Sequence, residues 1–122
     1  MGRFVIKKAG GGLSFSLKAG NGEVVGVSER YSAEAACRSG IESVRRNADA
    51  PVEDQTVPGA MALSHPKYEV YLDKKGEFRF RLKARNGEII LASEGYSTKN
   101  SCLNGIKSVA KNAPEAKVTL EA

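Results

Sequence analysis

One histidine, two cysteines and no tryptophan in 122 residues leave little material for catalysis or metal binding. Cys37 and Cys102 cannot build a disulfide scaffold, and His65, next to Pro66, has no second imidazole with which to share a metal. No apolar run approaches the roughly 20 residues that cross a bilayer, so no membrane is expected. The first strand-like residue is Phe4, so no signal peptide is expected and the reading is a cytoplasmic protein. Gly10-Gly11-Gly12 lacks the Lys-Ser/Thr ending of a phosphate loop. No cofactor or metal is expected, and no acid, base or nucleophile constellation that would make an enzyme stands out. With 19 Lys+Arg against 14 Asp+Glu, the formal charge is +5, which permits an anionic partner without requiring one.

What the chain does have is a duplication. Leu13 to Ala48 lies on Phe78 to Ala113 at a fixed offset of 65, and 18 of those 36 pairs are identical. Residues 1–57 are read as the first repeat, 58–66 as a linker bracketed by Pro58 and Pro66, and 67–122 as the second repeat. Neither repeat buries enough alone, so the two are expected to share one core as a monomeric internal pseudo-dimer.

Each repeat reads as three strands and a helix, with a short fourth strand around Val52 to Val57 and Lys117 to Leu120. Phe78, Phe80, Leu82 and Ala84 alternate with Arg79, Arg81, Lys83 and Arg85, which marks a strand with one buried face. Asn21-Gly22 and Asn86-Gly87 suit two-residue type I′ hairpins. Counting outward from Asn86-Gly87 places Ile89 and Leu91 inside, and Ile90 outside beside the basic residues. The same count places Ser14, Ser16, Lys18, Val25 and Val27 outside.

Ser32 and Ser97 are the expected helix N-caps. Cys37, Gly40, Ile41 and Val44 form one apolar stripe, repeated as Cys102, Gly105, Ile106 and Val109. Gly40 and Gly105 cost helix stability, so they imply a close approach to the sheet. Asn47 and Asn112 suit left-handed C-caps.

The string Lys67-Tyr68-Glu69-Val70-Tyr71, Phe78 to Ala84, Asn86-Gly87-Glu88-Ile89-Ile90, Ser93-Glu94-Gly95-Tyr96-Ser97 and Cys102-Leu103-Asn104-Gly105-Ile106 resembles the YegP-like family. This is a family of small bacterial domains of unknown function, found singly or in tandem. The resemblance implies an α+β fold of tandem β3-α-β repeats. These would form a single antiparallel sheet with two helices on one face and the last strands exchanged. It supplies no catalytic residue.

The cysteines sit on apolar stripes with no cationic partner nearby, and are read as core packing. The feature with reach is the basic strand. Arg79, Arg81, Lys83 and Arg85, with Tyr71 and Ile90 beside them, form the candidate partner surface, and the occupant would be a protein or an anionic ligand. A nucleic acid is the less favoured occupant, because Glu69, Asp73, Glu88 and Glu94 share that face. The expected function is a non-enzymatic binding module using the open sheet face, with a structural or self-associating role as the alternative.

Overall fold

The computed structural model describes residues 2–121 and contains eight strands and two long helices. In chain order these are β1 (Arg3–Ala9), β2 (Gly12–Lys18), β3 (Val24–Val27), α1 (Glu34–Asn47) and β4 (Val52–Asp54). They are followed by β5 (Lys67–Leu72), β6 (Phe78–Lys83), β7 (Ile89–Ala92), α2 (Lys99–Asn112), a single 3₁₀ turn (Ala113–Glu115) and β8 (Lys117–Glu121). The strands form one sheet in the order β4-β5-β6-β7-β3-β2-β1-β8. Each repeat therefore hands its last strand to the other. β4 lies beside β5 and β8 beside β1, both parallel, whereas the five inner ladders are antiparallel.

β3 and β7 join the halves through the pair Val27 and Ala92. These two residues are equivalent under the 65-residue offset, so a pseudo-twofold axis passes between them. Both helices pack on the same face, over Phe15 and Phe80. Phe4, Ile6, Leu17, Ile41, Tyr68, Val70, Leu82, Leu91, Cys37 and Cys102 belong to one buried core drawn from both repeats. The glycines in the helices have a steric cause. Tyr96 stacks on Phe80 with ring centroids 6.5 Å apart, and a Cβ at Gly105 would lie 2.5 Å from the Tyr96 hydroxyl. Tyr31, Phe15 and Gly40 repeat the arrangement.

Four local expectations are corrected. Ser32 and Ser97 do not cap the helices. Tyr31 and Tyr96 are pinned to Leu13 and Phe78 in β-bridges, so the chain stays extended one residue further, to Ala33 and Thr98. Thr98 Oγ1 accepts from the Ser101 amide at 3.1 Å, whereas Ala33 has no side chain with which to cap α1. Asn47 and Asn112 are not left-handed; among the described residues only glycines have positive φ. Their amides donate 2.8 Å bonds to the Ser43 and Ser108 carbonyls, and right-handed Ala48 and Ala113 then tuck into the core.

The Asn-Gly turns are not type I′, because only Gly22 and Gly87 are left-handed. The Gly87 amide donates to the Ala84 carbonyl, the Ala84 amide donates to the Glu88 carbonyl, and Asn86 Oδ1 accepts from the Glu88 amide. This is a three-residue turn with a bulge. Leu82 still faces Leu91, but Lys83 faces Ile89, so Ile90 is the extra residue and turns into the core at 6% exposure. Val25 does the same in the first repeat. Ile90 and Val25 therefore leave the outer surface; Val27 remains there.

Candidate interaction surface

Strand alternation places Arg79, Arg81 and Lys83 on the helix-free face, opposite Phe80 and Leu82. Pairing then decides what these cations can do. β6 runs against β5, with Arg81 beside Glu69 and Arg79 beside Tyr71. Arg81 Nε lies 2.6 Å from Glu69 Oε1, and Lys83 Nζ lies 3.2 Å from the same oxygen. Arg79 Nε is bonded to Asp73 Oδ2 at 2.7 Å, and the Arg81 guanidinium sits 4.3 Å over the Tyr71 ring. Arg85 lies in the turn and is exposed.

Beneath these groups is a buried ionic cluster. Lys67 Nζ is 2.7 Å from Glu53 Oε1 and 3.0 Å from Glu69 Oε2. Glu53, Lys67 and Glu69 are all buried. The Leu63 amide donates to Glu53 Oε1 at 2.6 Å, which brings the linker onto this face, and Gln55 donates to Glu53 Oε2. Burial alone would push the Glu69 carboxyl up, but hydrogen bonds from Arg81, Lys67 and Lys83 outweigh it and hold it at about 2. Hydrogen bonds from Lys67, Gln55 and the Leu63 amide hold Glu53 at about 2 as well. The basic strand is thus saturated from within.

The first-repeat half has no such buried cluster; Lys7 and Glu121 make an exposed contact there at 3.8 Å. Val5, Ser16 and Thr119 stand where the second has Glu69, Arg81 and Glu53. A shallow groove of about 280 Å³ opens there, lined by Val5, Lys7, Ser14, Ser16, Lys18, Val24, Val27 and Glu94. Val24 and Val27 are 41% and 44% exposed. Sequence reasoning put Val27, Ser14, Ser16 and Lys18 outside without ranking them above the basic strand.

The remaining candidates are quickly placed. Cys37 and Cys102 are fully buried; burial pushes both thiols up, Cys102 to about 11. His65 is exposed beside Gly87. Among the described residues, no group of three His, Cys, Asp or Glu could hold a metal, and no helix is long and apolar enough to cross a membrane. One structural residue was missed. Arg45 of α1 donates to the carbonyls of Ala113, Pro114 and Ala116 at 3.2, 3.0 and 2.7 Å and lies 5.3 Å over the Phe4 ring, clasping the second repeat. Its equivalent in the second repeat is Ala110, so no internal match pointed to it.

A family model described as a domain of unknown function, DUF1508, matches residues 9–54 and again 73–119, once on each repeat. The chain belongs to this family. The Yersinia pestis UPF0339 protein YegP is 41% identical over 113 residues, covering 92% of this chain and 88% of its own. A UPF0339 protein of Stutzerimonas stutzeri is 69% identical over 48 residues, 39% of this chain and 43% of that relative's length. The solution NMR structure of the E. coli protein of unknown function yegP superposes with a TM-score of 0.81 at 35% identity, covering 98% of this chain and 92% of that one. The YegP-like resemblance thus stands, and the duplicated α+β fold is shared with the YegP relatives matched over most of their length. The family's own description gives no activity.

Proposed function

We propose that this protein is a non-enzymatic interaction module. Its helix-free sheet face, on the first-repeat half, receives a polypeptide segment carrying acidic and aliphatic side chains. The observation that carries this reading is the contrast between the two halves of that face. In the second half, Arg79, Arg81 and Lys83 are paired with Asp73 and Glu69, and the linker reaches Glu53. In the first half, Val24 and Val27 stand open in one groove with Lys18, Glu94 and Lys7, whose contact with Glu121 is a loose, exposed one at 3.8 Å. Exposed aliphatics rimmed by cations suit a partner that offers apolar contact and carboxylates together. An anion docking on the basic strand would have to displace carboxylates already bonded there, which makes that reading the weaker one.

The test is retention of host proteins on the immobilised protein. The double variant Val27→Asp, Lys18→Glu should lose what the parent retains, and Arg85→Glu should keep it. Retention by the double variant with loss by Arg85→Glu would shift the surface to the second repeat. Retention by the parent no better than by an unrelated basic protein would overturn the reading.

A further inference from the structure

The two outer strands of the sheet are equivalent by the pseudo-twofold, yet they end differently. β4 has three residues and runs into a turn in which Thr56 bonds back to Asp54, while its Glu53 is held by the linker amide of Leu63. β8 has five residues, Lys117-Val118-Thr119-Leu120-Glu121, all exposed but Val118. It is bonded to β1 on one side only. A strand with one side unpaired offers a row of free backbone donors and acceptors. Its occupant can be argued from its own sequence.

Antiparallel pairing with a second copy, centred on Thr119, sets Lys117 against Glu121 of the other chain twice over, once on each side of the axis. The same register sets Val118 against Leu120, so the 46% exposed Leu120 gains apolar cover. Pairing with β1 puts Lys117, Thr119 and Glu121 on the face of Arg3, Val5 and Lys7, so both charged pairs lie on the helix-free side. Shifts by two residues in the pairing lose these charge matches, and a one-residue slip of a strand would turn its side chains to the wrong face. From this self-complementarity we infer that β8 is a homodimer edge, through which two molecules join into one continuous sheet. Such a small contact makes a reversible dimer rather than an obligate one.

Sedimentation of the full chain tests this. The weight-average mass should rise from 13.0 kDa toward twice that value with concentration. The useful range runs from about 10 µM to about 1 mM. Lys117→Glu and Glu121→Lys should each weaken association about tenfold, because each replaces two attractive pairs with two repulsive ones. The double variant, with both changes, should restore it. At concentrations where the chain is monomeric, the three variants should keep the parent's melting temperature, since Lys117 and Glu121 are exposed and the Lys7–Glu121 contact at 3.8 Å is a surface pair worth little. A parent that stays monomeric throughout that range overturns the inference. So does a dimer that the singles leave intact or that the double variant fails to restore.

Discussion

Gly26 and Leu91 occupy the same position in the two repeats, and Leu91 fills the space that a side chain at Gly26 would take. A Cβ at Gly26 would lie 2.8 Å from Leu91 Cγ. The pseudo-twofold axis runs beside them, between Val27 and Ala92, so two large residues cannot both be seated there. Gly26→Leu should therefore destabilise by about 1–3 kcal/mol through overpacking, and Leu91→Gly by about 3 kcal/mol or more through the cavity it leaves. Combined, the two changes exchange the roles of the repeats. Urea denaturation should find the double variant more stable than either single one; additive losses would contradict this packing.

The clasp made by Arg45 should be worth about 2 kcal/mol, because a charged donor serves three carbonyls of the other repeat. Arg45→Ala should lower the urea midpoint accordingly. Arg46→Ala, one residue on and exposed, should leave it within about 0.5 kcal/mol. Equal effects would mean that the clasp contributes nothing.

How much of this was legible beforehand follows from where the information sits. The duplication, the strand alternation and the helical stripes are local patterns, and they predict the repeated strands and helices. The exchange of the last strands came only with the family resemblance, and those two strands pair in parallel rather than antiparallel. Ile90 was misplaced because a bulge leaves no mark in an alternating sequence: Asn-Gly serves a three-residue turn as readily as a two-residue one. The caps moved by one residue because Tyr31 and Tyr96 are held by β-bridges that form only after folding. The saturation of the basic strand was half visible. Glu69 and Asp73 share its face by alternation, but Glu53 and Lys67 join them only because β4 crosses to the other repeat and the linker returns over it. Arg45 left no trace, since its partners lie some 70 residues away, 68–71 in sequence.

Stability should fall in acid in a window set by Glu69 and Glu53. Both carboxyls are held at about 2 in the folded chain against an ordinary 4.5. The unfolded chain therefore takes up protons first as the pH drops. The stabilisation is complete above about pH 4.5 and is lost progressively toward about pH 2. The urea midpoint should decline steeply across that window. Glu69→Gln should lower stability near neutrality by about 3 kcal/mol, by leaving buried Lys67 and half-buried Arg81 and Lys83 short of a partner, and should flatten the acid decline. An equally steep decline in the variant would contradict the assignment.

The thiols should be inert while the protein is folded. Cys37 and Cys102 are fully buried, and burial raises both, Cys102 to about 11. A chromogenic disulfide reagent at about pH 8 should therefore find no thiols in the native protein and two in denaturant. Rapid native reaction of either cysteine would assign it a role other than packing.

The central claim is that the first-repeat half of the open sheet face, rather than the basic strand, meets the partner. A photoreactive side chain placed at Val27 measures this most directly, with a second protein carrying it at Tyr71, beside Arg79 and Arg81, as control. Irradiation in host extract should give a discrete adduct from position 27 and none from position 71. An adduct from position 71 alone would contradict the account.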